Sequence, residues 1–209
     1  MNSIKEYEPI SLEYPYDALE PYIDARTMDI HYNQHYKGYI KNLNKALDKY
    51  PDYKSLNIAE LIRNISILPQ SIRKTVRDNA GGVLNHEIFF RGLKKGTTIS
   101  GALKTAIESK YNNIDNFKEQ FSQAAMDRFG SGWVWLANDR DGNLYIVSTP
   151  NQDTVIEMGL NPIMGNDLWE HAYYLKYQNR KNEYVNNYFQ VINWDQANNN
   201  YLQSLNIVN

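Results

Sequence analysis

The sequence predicts an α+β fold: a long N-terminal αα-hairpin over residues 1–95, then a C-terminal α/β domain over residues 96–209 with a small three-stranded antiparallel sheet. Three observations predict it. Two long stretches of the first half have helical periodicity, and one of them is closed by a proline. Lys94-Lys95-Gly96-Thr97-Thr98 then reads as a linker. Beyond Gly130 the period shortens to β-prone runs around an Asp-Gly turn.

Pro9, Pro15 and Pro21, set among tyrosines, make residues 1–22 an extended arm packed on a surface. From Asp24 to Tyr50 the pattern is helical, with Met28, His31, His35 and Tyr39 on one face, and Pro51 ends it. A short helix near Ile58–Asn64 and a long one from Ser71 to Gly92 complete the hairpin. Helices follow over Gly101–Lys110 and Ile114–Phe129, the second capped by Gly130. Trp133–Ala137 and Leu144–Thr149 are short strands, joined by the hairpin signal at Asn138–Asn143. A third strand is expected near Ile163–Asp167. Helices over Glu170–Asn179 and Trp194–Leu205, with a turn near Asn182–Tyr188, close the chain.

With 209 residues, 42% of them hydrophobic, the chain can build one large domain or two small, tightly packed ones. The formal net charge is -2 and no basic stretch points to nucleic acid. No apolar run approaches the roughly 20 residues that span a membrane. The N-terminus lacks an apolar signal core, so a cytoplasmic location is expected unless a leader precedes this chain. Cysteine is absent, which excludes disulfides, thiolate metal sites and cysteine nucleophiles. Any metal must therefore use histidine and carboxylate. The 17 tyrosines are read as composition rather than chemistry.

Chemistry concentrates in Asp-Leu-Trp-Glu-His-Ala-Tyr-Tyr (167–174). Asp167 and His171 are spaced i and i+4, so a helical turn would put carboxylate and imidazole on one face. Such a donor pair suits manganese, iron or zinc. Only four histidines exist, His31, His35, His86 and His171. His31 and His35 are also i and i+4, which reads equally as a two-histidine ligand pair or as helix-surface histidines. Tyr39 continues their stripe and is either a proton relay or ordinary packing. His86-Glu87 invites a zinc-protease reading that fails, because Phe90 stands where a second histidine is needed. Gly81 and Gly82 lie inside a helical pattern, where glycine costs about 1 kcal/mol relative to alanine. Either something needs the space, or the helix breaks there.

Taken together these residues resemble the iron/manganese superoxide dismutase family. The match covers nearly the whole chain in order. It includes Tyr-Pro-Tyr-Asp-Ala-Leu-Glu-Pro (14–21), the stretch from His31 to Tyr39, and Asn-Ala-Gly-Gly with Asn-His (79–86). Gly-Ser-Gly-Trp-Val-Trp-Leu (130–136), Ser-Thr-Pro-Asn-Gln-Asp (148–153), the octad, and Val-Ile-Asn-Trp (191–194) continue it. The resemblance implies that His31, His86, Asp167 and His171 hold one metal ion. It places His35 outside the ligand set and makes Tyr39 the gateway tyrosine beside it. Glu170 maps onto a residue that reaches the partner's metal-ligating histidine across a homodimer, and Tyr173 onto one that meets the partner's His35. Dimer and tetramer both remain open. Trp133, Trp135 and Trp169 map onto an aromatic wall around the metal.

The resemblance also bears on the metal. Gln152 matches the C-terminal glutamine of manganese-type members, which faces a glycine here matched by Gly82; Gly165 also looks manganese-type. Manganese is therefore expected, with iron or cambialistic use as the alternative. Phe90 replaces a usual tryptophan, and Tyr32 and Tyr36 replace histidines of many relatives. The implied activity converts superoxide to dioxygen and hydrogen peroxide as the metal alternates between M(III) and M(II). Gln152 and Tyr39 are expected to relay protons. Lys37 and Arg180 are candidates for a local basic rim that attracts the anion, or plain solvated charge. The competing readings are a zinc hydrolase using His31, His35 and a carboxylate, and a metal-binding protein without catalysis.

Overall fold

Asp24 starts the first helix: its carboxylate accepts the Thr27 N–H at 2.9 Å, the standard N-cap contact. The computed structural model describes residues 6–206, and residues 1–5 of the proposed arm lie outside them. From residue 6 the arm is extended as far as about residue 15 and then turns over residues 16–22. The Tyr7 N–H and carbonyl pair with the Asn44 carboxamide at 3.0 and 2.9 Å, and Tyr14 donates its hydroxyl to Phe90 O at 2.7 Å.

Helix α1 spans Ala25–Ile30. The backbone then widens into a π-helical turn over His31–Tyr36, where the Lys37 N–H reaches back five residues to Tyr32 O. Helix α2 resumes over Lys37–Ala46. The single helix expected over 24–50 is thus interrupted at His31 and ends at Ala46. Beyond it Tyr50 N–H bonds Leu47 O at 2.9 Å, a tight turn, because the residue before Pro51 is sterically barred from the helical region. Helix α3 spans Ile58–Arg63 with a capping box between Asn57 and Glu60. Helix α4 runs Gln70–Arg91 after Pro69 and packs on α2 to form the hairpin. Ile40, Leu43, Val76, Val83 and Phe89 are buried in its core.

Helix α5 spans Gly101–Tyr111 and α6 spans Ile114–Asp127, the latter capped by Asn113. Gly130 does not cap α6 as expected. Arg128 is already extended because its guanidinium reaches Ser148 Oγ at 2.8 Å; Gly130, at φ 76°, turns the chain into the sheet. Strands β1 (Gly132–Asn138), β2 (Leu144–Pro150) and β3 (Asn161–Asp167) form one antiparallel sheet in the order β2-β1-β3. In the β1–β2 turn the Asp139 carboxylate accepts the N–H groups of Asp141 and Asn143, and Gly142 takes φ 84°. Central β1 is buried along its whole length.

The helix expected over 170–179 is split. Residues Glu170–Ala172 form a 3-10 turn, Tyr173 takes φ −142°, and α7 covers only Tyr174–Tyr177. The expected turn at 182–188 is a helix, α8 over Lys181–Tyr188, and α9 spans Trp194–Asn206. The two halves are tied where Lys94 N–H meets Val191 O and Asn193 N–H meets Gly92 O, both at 2.7 Å. Among the described residues no helix is long and apolar enough to cross a membrane.

Candidate metal centre

Four elements each deliver one group to a single point. The π-helical turn supplies His31, α4 supplies His86, the last residue of β3 is Asp167, and the following 3-10 turn carries His171. Their ligand-capable atoms all lie within 4.8 Å of one another. Asp167 Oδ2 is the hub, with the Nε2 atoms of His31, His171 and His86 at 3.0, 3.2 and 3.6 Å. Asp167 and His171 do not share a helical turn: the carboxylate ends a strand and the imidazole starts a new turn. His35 stands aside from the hub. Its ring stacks on His171 with centroids 3.9 Å apart, so the two-ligand reading of His31 and His35 fails.

The electrostatics fit a cation. Burial depresses the pKa of His31, partly offset by Asp167, and depresses that of His86 further, so both imidazoles are held neutral. Burial pushes the Asp167 carboxyl up, but His171 and His31 hold it well below the usual carboxylate range. The His86 Nδ1–H donates to Gly82 O at 2.6 Å, which frees Nε2 for a metal. The Nε2 atoms of His31 and His86 are buried without a hydrogen bond. Leaving such atoms orphaned is costly, and one metal ion between them satisfies both. Three imidazoles and one carboxylate suit manganese, iron or zinc.

Gln152 lies beside this cluster, its carboxamide fixed at both ends. Oε1 accepts Trp133 Nε1–H at 3.1 Å and Asn85 Nδ2–H at 3.2 Å. Nε2 donates to the Tyr39 hydroxyl at 3.1 Å. Burial pushes the Tyr39 phenol up to about 12, against the opposing pull of that bond. The glycines explain themselves here, with one correction. A β-carbon at Gly82 would lie 2.5 Å from the Tyr39 ring, so Tyr39 and not Gln152 takes that space. A β-carbon at Gly81 would collide with the Gln152 backbone carbonyl. At Gly165 it would run into the Trp135 ring.

The aromatic wall is uneven. Trp133 meets His86 edge-on at 5.2 Å, and Trp169 stacks on His171 at 5.5 Å. The Trp169 backbone N–H also donates to Asp167 Oδ1 at 2.9 Å. Trp135 stands one layer back, stacked on Trp133 at 5.3 Å. Phe89 and Phe90 pack on His31 at 5.3 and 5.1 Å, and Tyr36 stacks over His86 at 6.2 Å. Asn85 and Phe89 are the neighbours that sequence reasoning misses; Asn85 stands inside a quoted motif, yet nothing in the spacing says what it bonds. Glu170 is exposed, and Tyr173 stacks on Tyr184 at 5.1 Å; neither joins the ligand cluster. Lys37 donates to Asn33 Oδ1 at 2.7 Å, while Arg180 is paired with Glu183 at 2.8 Å, which weakens it as a rim cation.

A buried centre of three imidazoles and one carboxylate, set between a helical hairpin and a small antiparallel sheet, defines a mononuclear metalloprotein. The family model of the α-hairpin domain of iron/manganese superoxide dismutases matches residues 6–94, and that of the C-terminal domain matches residues 99–200. The chain belongs to the iron/manganese superoxide dismutase family. It is similar to the manganese superoxide dismutase of Thermus thermophilus, 50% identical over 188 residues that cover 89% of this chain and 92% of that protein. The Escherichia coli K12 manganese enzyme is 49% identical over 194 residues, 90% and 93% of the two chains. Superoxide dismutase (Mn) 1 of Leptolyngbya boryana is 48% identical over 197 residues, 92% and 79% of the two.

Proposed function

We propose that this chain is a manganese superoxide dismutase that converts superoxide to dioxygen and hydrogen peroxide. The observation that carries the proposal is the convergence of His31, His86, Asp167 and His171 beside a Gln152–Tyr39 pair in a chain of this family. The four residues hold one manganese ion, with iron as the second metal the donor set accepts. An ion held there would supply the electron exchange with superoxide.

The rest of the chemistry is the chain's own. Reducing superoxide to hydrogen peroxide consumes two protons. Gln152 Nε2–H donates to the Tyr39 oxygen, so the phenol keeps its own hydrogen free to donate into the cavity. With its pKa raised to about 12, Tyr39 stays protonated through the physiological range. Trp133 and Asn85 hold Gln152 from behind, which fixes where that proton is offered. Asp167 offsets cation charge with a carboxylate that stays ionised. His35, half-buried and stacked on His171, is the residue that the resemblance sets with Tyr39 at the substrate's approach.

The assembly belongs to the same proposal. Phe129 is 98% exposed, and Tyr174 and Leu175 are about half exposed. Phe129 precedes Gly132, whose carbonyl accepts the Leu168 N–H at 2.9 Å, so this apolar surface adjoins the octad. The resemblance puts Glu170 and Tyr173 at the contact with a second copy, next to this surface. A homodimer is therefore the proposed unit, and a tetramer a larger assembly of it. The division into residues 1–95 and 96–209, supported by the linker pattern at 94–98, and a cytoplasmic location are part of the same proposal.

The test is superoxide consumption by protein loaded in turn with manganese, iron and zinc and assayed for metal content. Fast turnover with manganese is expected. No turnover with manganese or iron at full occupancy would overturn the proposal, and full zinc occupancy with hydrolytic activity would favour the hydrolase reading.

A further inference from the structure

Arg77, Gly81 and Asn85 recur at i, i+4 and i+8 on α4, one face of the helix, and all three meet the segment that carries Gln152. Asn85 Nδ2 donates to the Gln152 side chain at 3.2 Å and lies within 3.3 and 3.4 Å of the Gln152 and Asp153 carbonyls. Gly81 leaves the room that the Gln152 carbonyl fills. Arg77 grips the next residues: Nη1 meets Asp153 Oδ1 at 2.8 Å and Nε meets Glu157 Oε1. The other Glu157 oxygen accepts the Thr154 N–H at 3.0 Å, closing the turn behind Gln152.

We propose that Arg77 is a positioning residue, an ionic clamp between α4 and the 152–157 segment that sets how far the Gln152 carboxamide projects toward the metal centre. The proposal rests on Gln152 having the role given above. The clamp spans the two halves of the chain, so it fixes a distance that neither half sets alone. Arg77 and its two carboxylates are each between 21% and 35% exposed. Pairs so accessible contribute little to global stability, so the effect belongs to local geometry. Arginine suits the task because its planar fork holds two carboxylates at once, which a lysine ammonium does with less directional control.

The experiment compares wild type with Arg77→Ala, Arg77→Lys and Glu157→Gln. Hydrogen exchange is measured on metal-free protein, and the midpoint potential and the kcat against KM split on manganese-loaded protein. Arg77→Ala is expected to keep its metal, to speed exchange at residues 152–157 but not at 85–90, and to shift the potential. The fall in activity is expected in kcat with KM little changed. Arg77→Lys should recover part of it, and Glu157→Gln should reproduce it from the other side of the contact. Unaltered exchange and potential in both Arg77→Ala and Glu157→Gln would overturn the clamp. Arg77-dependent exchange in a protein with no dismutase turnover would support the clamp and sink the functional reading instead.

Discussion

Trp133 of β1 and Asp167 of β3 stand directly opposite each other in the antiparallel register. Opposed residues of such a pair project from the same face of the sheet, so the indole and the Asp167 carboxylate are aimed together. Trp133 passes the placement on by donating to Gln152, whose segment follows β2 on the other side of β1. One strand pairing therefore positions Asp167, an aromatic wall and Gln152. A slip of one residue would turn all three away.

Gln152→Leu tests the last link. Leucine keeps the volume but accepts no hydrogen bond, so Trp133 Nε1–H loses its acceptor, while Asn85 Nδ2 keeps the backbone carbonyls of residues 152 and 153. Each buried unsatisfied donor costs about 1–3 kcal/mol. The expected protein folds with a lowered melting temperature, and its turnover falls by about 10–100-fold with a displaced metal potential. Stopped-flow superoxide decay and redox titration check it; turnover within twofold of wild type would contradict the role given to Gln152.

Two glycines should respond in opposite directions to alanine. In α2, a β-carbon at Gly38 meets nothing within 4 Å, so Gly38→Ala should stabilise by about 0.5–1 kcal/mol through helix propensity. At Gly81 the same gain meets the Gln152 carbonyl, a backbone atom that cannot swing aside. Overpacking costs about 1–3 kcal/mol, so Gly81→Ala should be net destabilised and should lose activity with it. Denaturant unfolding of both variants measures the contrast, and a stabilised, fully active Gly81→Ala would refute the packing argument.

Local signals made much of this fold legible. The Asp-Gly turn, the alternating runs around it and the prolines of the arm each act within a few residues. The π-helical turn at His31–Tyr36 was not legible, because the pattern from Met28 to Tyr39 fits a regular helix nearly as well. Tyr173 was equally opaque: its extended φ breaks an otherwise helical stretch and sets His171 on its own short turn. Spacing offered Asp167 and His171 as a donor pair, but the full set of four came only with the resemblance. Spacing left the pair His31–His35 open and put Asp167 and His171 on one helical turn, whereas the cluster takes His31 and His86 from elements far from Asp167 in sequence. The stripe Arg77, Gly81, Asn85 is a plain helical period with nothing local to mark it, because its partner segment lies more than 60 residues away.

Acid should destabilise the metal-free protein. Burial lowers the pKa of His31 and His86, and lowers half-buried His35 to about 4. Their unfolded counterparts take up a proton near pH 6.5. Below that pH the unfolded state binds more protons than the folded one, so stability is full above about 6.5 and falls as pH drops. Asp167, held below its usual range, acts in the same direction below about pH 4. Thermal unfolding of metal-free protein at pH 7.5 and 5.5 should show a lower midpoint at 5.5. A His86→Gln variant should show a smaller drop, since one of the depressed imidazoles is gone. Equal midpoints for the wild type at both pH values would contradict the neutral-histidine assignment.

Glu170→Ala tests the assembly. Glu170 is exposed, and in its own subunit it touches none of the ligand atoms. A role confined to one chain thus predicts no effect on subunit association or metal. A role across a dimer predicts the opposite: a metal-ligating histidine of the partner loses a carboxylate beside it, and an apolar surface that includes fully exposed Phe129 loses a polar anchor. The expected outcome is a dissociation constant raised by about tenfold or more, a loss of about 1.4 kcal/mol, with a larger share of iron after growth on mixed metals. Sedimentation velocity across a dilution series and elemental analysis read the two effects separately. Phe129→Ser should weaken association through the lost apolar contact alone and leave metal content near wild type. An unchanged dimer in both variants would place the interface on another face, and a monomer already in the wild type would remove the assembly from the proposal.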